Sequence, residues 1–299
     1  MKTKAVRCPI CGQRTKEVEL WTKNSFRYVR CANCGLIYIN PQLSDEAVAH
    51  IYSNVLYEQK SERLDLLLPD LDTYKSRLLK KFVGFRKSNC LLDVGCFKGF
   101  FLYSASQKGW RAFGTEVSES ATRFARAQLG QRVEMGDLLD MPGLEQFSFD
   151  VVTFFDVIEH LSQPYLYLKK AHDFLRQDGL LYMETPNFNA LPRFVLGKKW
   201  TIFHSLHRYY FTPNTIKRMF HKAGFKKIRV RTVGFLPFSI RENEPTFSKA
   251  KSKLKFLRFL PINLLRDIQE MVESFIFYPL DIFGLRVGTK IVVWATKGD

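Results

Sequence analysis

The sequence has no apolar run long enough to cross a bilayer, which takes roughly 18 to 20 uninterrupted apolar residues. Its opening stretch, MKTKAVRCPICGQ, also lacks the apolar segment of a secretory signal. Both absences point to a cytoplasmic protein. Cysteine is scarce, at six residues in 299. Four of these form two pairs and the other two, Cys90 and Cys96, sit in a later apolar motif. That division argues for metal in a reducing compartment rather than for disulfides. The composition is neither collagen-like nor disordered. At 46% hydrophobic residues the chain can bury a full core, and its length suits one large domain with a smaller attachment or two.

Acidic residues are in deficit, with 29 Asp and Glu against 46 Lys and Arg and a formal net charge of +17. The deficit is uneven. Residues 1–44 carry a net +6 and residues 186–299 a net +14, whereas residues 45–185 carry −3. Basic flanks around a near-neutral centre suit nucleic acid, an anionic membrane or a phosphorylated substrate, or serve solubility alone. The field by itself does not choose among them.

The paired cysteines read C-P-I-C-G, eighteen residues, then C-A-N-C-G. Two thiolates two residues apart can grip one ion from a tight turn, and the glycine after each pair permits the left-handed backbone such a turn often needs. Cys8, Cys11, Cys31 and Cys34 together would complete a closed tetrahedral site for a structural zinc ion. The intervening VELWTKNSFRYVRC reads as a short hairpin, so residues 1–44 are expected to form a zinc ribbon. Trp21, Lys23, Phe26, Arg27, Tyr28 and Arg30 fit either nucleic-acid binding or a scaffold beside an active site.

Beyond a linker with helical spacing at Leu71, Tyr74, Leu78, Leu79 and Phe82, the run CLLDVG leads into FKGFFLYSASQKG. That is a buried strand, a glycine turn and a helix, the geometry that brings backbone N–H groups to a ligand. Strand-like RAFGTE, helical SESATRFARAQLG, strand-like QRVEMGD and FSFDVVTFFD, helical PYLYLKKAHDFLRQDG and strand-like LLYMETPN continue the alternation. Such alternation implies an α/β fold with a doubly wound parallel sheet and a ligand at the carboxyl ends of its strands.

LLDVGCFKGFF, together with FDVVTFFDVIEHLSQPYLYLKKAHDFLRQDGLLYMETPN, resembles the class I S-adenosylmethionine-dependent methyltransferases over roughly residues 70–235. With the ribbon, the arrangement is similar to bacterial sugar and natural-product methyltransferases. The resemblance implies a Rossmann-like seven-stranded sheet ending in an antiparallel pair, KKIRVRTVG and GTKIVVWATK, with residues 88–299 as the catalytic domain and 45–87 as linker and helices. It also implies roles. Asp93, Gly95 and Gly99 would surround the methionine part of the donor, and Glu116 would accept hydrogen bonds from the ribose hydroxyls. Asp137 and Leu138 would adjoin the adenine, with Phe155 and Asp156 beside the sulfonium. Asp93 and Asp156 could instead cap helices. One departure stands out, because Phe97 occupies the place of the family's middle glycine and could crowd the donor or point away from it.

Methyl transfer to a hydroxyl needs an aligned acceptor and a base of near-neutral pKa, which directs attention to histidine. His160, in DVIEHL, is the first candidate and His207, in FHSLHRYYF, the second; His160 could equally cap a turn. His204 shares the second segment. The nearby Trp200, Phe203, Tyr209, Tyr210 and Phe211 suit either an acceptor pocket or the packing of a loop. Between the last two strands an insertion, residues 235–287, carries a basic and apolar stretch at 248–286 that reads as a segment on an anionic membrane surface, as a dimerisation helix or as a lid. The expected activity is methyl transfer to a sugar or other small hydroxylated acceptor, nucleotide- or lipid-linked. An RNA methyltransferase is the alternative, and a non-catalytic binding module on a degenerate fold is a third.

Overall fold

The computed structural model describes residues 2–12, 16–51, 75, 77–141, 148–234 and 286–298. Leu71 and Tyr74 of the expected linker helix lie outside these residues, as does the 235–287 insertion up to residue 285.

The amino-terminal strands are β1 (Thr3–Lys4), β2 (Glu17–Lys23), β3 (Phe26–Cys31), β4 (Ile37–Ile39) and β5 (Gln42–Leu43), followed by helix α1 (Asp45–Ile51). The alternating part then runs β6 (Cys90–Val94), α2 (Phe100–Gln107), β7 (Arg111–Glu116), α3 (Glu119–Leu129), β8 (Arg132–Met135), β9 (Phe149–Phe155), α4 (Pro164–Phe174) and β10 (Leu175–Pro186). It closes with α5 (Leu191–Leu196), β11 (Tyr209–Tyr210), α6 (Pro213–Lys222), β12 (Lys227–Val233) and β13 (Lys290–Thr296).

Seven of these strands form one mixed sheet in the order β12-β13-β10-β9-β6-β7-β8. Strands β6 to β10 run parallel, and β13 is antiparallel to both β10 and β12. The chain order reverses between β6 and β9, which is where an open α/β sheet gathers its ligand. All five residues of β6 are buried, as expected of a central parallel strand covered on both faces. Helix boundaries follow from local chemistry. The Ser118 hydroxyl accepts from the Ala121 N–H at the start of α3, and Thr212 with Thr215 forms a capping box at the start of α6.

One boundary departs from the sequence reading. The α4 helix stops at Phe174, and LRQDG belongs to β10, whose register against β9 shifts between Leu175 and Leu180. The Arg176 guanidinium explains the early stop. It donates to the fully buried Asp150 carboxylate at 2.5 Å, which also accepts from the Ser88 and Cys90 N–H groups. An extended backbone at residue 175 delivers that arginine to an otherwise unpaired buried charge.

The amino-terminal part is joined to the large sheet by strands and by core. A four-stranded sheet of order β11-β4-β3-β2 takes its edge strand β11 from residues 209–210. Tyr28, Ile37 and Ile39 share a cluster with Phe188, Trp200, Phe203 and Tyr210. Val29, Leu36 and Tyr38 belong to the same core as Phe211, Ile216 and Phe220.

Candidate active site

The turn after β6 is shaped by close approach. Gly95 and Gly99 both have positive φ, and a Cβ on Gly95 would lie 2.7 Å from the Val157 side chain. Phe97 also adopts a positive φ of 52°, a conformation costly for a residue with a Cβ. Its N–H donates to the Glu116 carboxylate at 2.8 Å, and the Ser118 N–H donates to the other oxygen at 2.9 Å. The Phe97 ring is 40% exposed, with the Lys98 ammonium 5.6 Å from its centre. Its backbone serves the loop while its side chain faces outward.

Asp93, Glu116 and Asp137 end β6, β7 and the β8 turn. Burial pushes the Asp93 carboxyl up to about 7, against the Lys75 ammonium and the Thr153 hydroxyl that donates to it at 2.7 Å. Burial likewise raises Glu116, opposed by the N–H groups of Ser118, Phe97 and Val117. Asp137 caps the short turn holding buried Leu138 by accepting from the Leu139 N–H, and it also accepts from the Tyr167 hydroxyl. Phe155 packs edge-on against Phe101 at the end of β9. Asp156 caps no helix. Its carboxylate accepts from the Lys290 ammonium at 2.6 Å, and Lys290 also reaches Glu184 at 3.3 Å.

Just past β9 the chain turns tightly, with the His160 N–H donating to the Val157 carbonyl. The Glu159 carbonyl accepts from the Arg208 and Tyr209 N–H groups. Those bonds clamp the 204–210 segment to the turn and bring three imidazoles together. The ring centres of His160 and His207 are 4.6 Å apart, and those of His207 and His204 are 3.9 Å apart. His160 Nδ1 lies 3.0 Å from the Leu206 carbonyl and His207 Nδ1 lies 2.9 Å from the Ile202 carbonyl. A carbonyl only accepts, so each Nδ1 carries the proton. Burial holds His160 down to about 4, and burial with the neighbouring imidazoles holds His207 well below its ordinary value. Both rings are therefore neutral near pH 7, each with a lone pair on Nε2, and burial leaves His160 well below the near-neutral value expected of a base. Glu159 is 1% exposed; burial, then the Asp156 charge, pushes its carboxyl up to about 8.

Residues 68–230 match the family model of the methyltransferase domain, more than half of the chain. The chain belongs to that family. A ubiquinone biosynthesis O-methyltransferase from Ruegeria pomeroyi is 28% identical over 175 residues, covering 54% of this chain and 67% of the relative. A tRNA U34 carboxymethyltransferase from Campylobacter jejuni is 24% identical, covering 64% of this chain and 69% of that protein. Among solved structures, an S-adenosylmethionine-dependent methyltransferase from Archaeoglobus fulgidus shares the fold with a TM-score of 0.50 at 18% identity, covering 79% of this chain and all of that one. A plantazolicin methyltransferase in complex with SAH does so with a TM-score of 0.54 at 13% identity, covering 84% of this chain and 95% of its own.

The protein is thus a class I S-adenosylmethionine-dependent methyltransferase. Its residues fit that donor: a turn too tight for a Cβ at Gly95 and a buried Glu116 carboxylate are the groups a nucleoside and its sulfonium chain require. When bound, S-adenosylmethionine supplies an electrophilic methyl group.

The methyltransferase also carries its four amino-terminal cysteines in one cluster, with Cys8 and Cys34 sulfurs 3.5 Å apart and Cys11 and Cys31 sulfurs 3.8 Å apart. A tetrahedron with metal–sulfur bonds of about 2.3 Å has sulfur–sulfur edges of about 3.8 Å, so the cluster is compatible with zinc. Each knuckle closes through a bond from the following glycine, Gly12 to Cys8 at 2.8 Å and Gly35 to Cys31 at 2.9 Å.

Glu159, Glu184 and Lys290 are site groups the sequence reading passed over. Glu159 carried a signal, being adjacent to His160. Lys290 carried none, since it returns to the site from beyond the long insertion. Among the described residues no helix is long and apolar enough to cross a membrane.

Proposed function

We propose that this methyltransferase transfers the methyl group to an oxygen of a sugar or other small hydroxylated acceptor, nucleotide- or lipid-linked, in the cytoplasm. Asp93, Gly95, Gly99, Glu116, Asp137, Leu138, Phe155 and Asp156 hold the donor. His160, with His207 behind it, faces the acceptor hydroxyl and takes its proton as the oxygen attacks the methyl carbon. In this reading residues 1–44 are a zinc-loaded scaffold, residues 45–87 a connection and residues 88–299 the catalytic domain.

The observation that carries the choice of a small acceptor is the use made of the ribbon's aromatic and basic side chains. Trp21 stacks on Tyr28 and Phe188, and Tyr28 is 1% exposed. Lys23 donates to the Trp200 carbonyl, and Arg27 pairs with Glu17 and Glu19. Trp21, Lys23 and Tyr28, which would stack bases or contact phosphates in an RNA enzyme, are here spent on holding the 188–210 segment, while Arg27 and Arg30 are exposed. The buried Trp200, Phe203, Tyr209, Tyr210 and Phe211 serve the same packing.

The test is a labelled-methyl transfer assay run in parallel on nucleotide sugars, a lipid extract and total RNA. Label in the sugar or lipid fraction is expected. Label confined to RNA overturns the acceptor class. His160→Ala is expected to lower turnover on the true acceptor by about a hundredfold or more with donor affinity unchanged, and full turnover would remove His160 from the chemistry.

A further inference from the structure

The turn after β9 and the 204–210 segment bring together a set of donor atoms whose chemistry is not exhausted by a single base. Glu159 Oε1, His160 and His207 offer ligand atoms that all lie within 4.8 Å of one another, and His160 Nε2 is 3.9 Å from Glu159 Oε1. Glu159 Oε2 accepts from the Thr185 hydroxyl, whereas Oε1, fully buried, has no hydrogen-bond partner among the described residues. A buried carboxyl oxygen without a partner is costly, and a bound cation would meet it while displacing the proton that burial favours there. Each imidazole donates its Nδ1–H to a backbone carbonyl, as metal-ligating histidines usually do, which makes Nε2 the ligating nitrogen. The nearby cations are engaged elsewhere: Lys290 with Asp156 and Glu184, Arg208 with Asp45 and Gln42.

We propose that Glu159, His160 and His207 form a binding site for a divalent transition-metal ion, distinct from the four-cysteine cluster, that holds the acceptor oxygen. Two imidazole nitrogens and one carboxylate oxygen suit such ions better than magnesium or calcium, and leave coordination positions for water or the acceptor. Neighbouring ligands at about 2.1 Å from an ion lie about 3.0–3.4 Å apart, so the Glu159–His160 pair at 3.9 Å closes by about half an ångström to one ångström, and the widest pair, within 4.8 Å, by somewhat more, to complete the site. This deepens the acceptor reading above and rests on it only for the identity of the bound oxygen. In the transfer step the ion-held hydroxyl releases its proton to solvent. The oxygen pair forms the new O–C bond, and the pair of the breaking C–S bond returns to sulfur, giving S-adenosylhomocysteine. With the ion bound the two imidazoles are ligands and the proton leaves to solvent, in place of the proton-acceptor role given to His160 above.

Equilibrium dialysis of the zinc-loaded full chain against cobalt(II) tests the site without any acceptor. One further cobalt per chain is expected, with weak d–d bands and no thiolate charge-transfer band. Glu159→Gln and His207→Asn are each expected to weaken it by about tenfold or more. Because either variant could misfold, histidine-labelled wild-type protein is examined in parallel, where cobalt should shift the ring signals of His160 and His207 and spare those of His172 and His221. No second equivalent at millimolar cobalt, equal binding in both variants, or shifts at the other histidines alone overturns the site. Calorimetry of the same samples with S-adenosylmethionine reads the donor site separately, so loss of cobalt binding with intact donor binding condemns the metal and not the methyltransferase reading.

Discussion

The groups proposed to hold the donor lie within residues 93–156, on consecutive strand–helix units, whereas the acceptor side draws on the 159–160 turn, Thr185, the 204–207 segment and Lys290. On the donor side the polar contacts tie together strand ends and turns of the large sheet: Ser118 to Glu116 and Leu139 to Asp137 across two positions, Phe97 to Glu116 across 19 and Thr153 to Asp93 across 60. On the acceptor side they join the sheet and the ribbon to the 200–210 segment: the Arg208 N–H to the Glu159 carbonyl, and Lys23 to the Trp200 carbonyl across 177 positions. The donor side is thus set within the large sheet, and the acceptor side by the packing of the ribbon and the 200–210 segment onto it. The ribbon contributes to the second and, through β4 and β11, props the segment that carries His207.

The largest effect expected from this contrast comes from the cysteines. Structural zinc in small domains contributes on the order of 10 kcal/mol to folding, so Cys31→Ser or strong chelation should melt the ribbon. Turnover should fall by about a thousandfold or more as the His204–His207 segment loses its support. Donor affinity, measured by calorimetry on the same protein, should change by less than about tenfold, given that the polar contacts described there lie outside the ribbon. Equal losses on both sides would erase the distinction between them.

Next in size is Glu116→Ala, which strikes the donor side alone. Hydrogen bonds to charged groups contribute about 1.5–3 kcal/mol each, and this carboxylate organises two N–H groups, so donor affinity should drop by about a hundredfold or more. Cobalt uptake by the full chain should be unaffected. A change of less than threefold in donor affinity would take Glu116 out of the site.

The same division explains what could be read from the sequence. Strands β6 to β10 and the helices between them, the caps at Ser118 and Thr212, and the clustering of the four cysteines were all legible, because each depends on spacing within a short window. The end of α4 was not legible, because Arg176 leaves the helix for a carboxylate 26 positions away. Lys290 beside Asp156 was invisible for the same reason, at a separation of 134. His160 and His207 were singled out for their chemistry, but nothing in their spacing announced that their rings meet or that Glu159 joins them.

Acidity offers a third, smaller test. Burial raises the folded-state value of Asp93 from near 3.9 to about 7, with Lys75 and Thr153 opposing and Glu116 reinforcing. Between about pH 4 and 7 the folded chain therefore holds a proton that the unfolded chain has released. The contribution of this group to stability falls as pH rises through that window and is lowest above it, by an amount on the order of 4 kcal/mol. Donor-free Asp93→Asn should thus gain thermal stability over the donor-free parent at pH 8 and show little gain at pH 5, as read by melting curves. A gain independent of pH would mean that Asp93 is ionised and adequately paired when folded.

The smallest effect belongs to Phe97, where the family pattern has glycine. A non-glycine residue at φ near +52° carries a penalty of about 1–2 kcal/mol, while glycine brings an entropic cost of about 0.5–1 kcal/mol. The two nearly offset each other. The N–H that binds Glu116 is kept in either residue, and the exposed ring lies beside the Lys98 ammonium. Phe97→Gly should therefore shift the melting temperature by no more than a few degrees and alter donor affinity by less than about threefold. A large gain in affinity would show that the ring turns inward when the donor arrives, and the donor side would then owe part of its fit to a side chain as well as to its backbone.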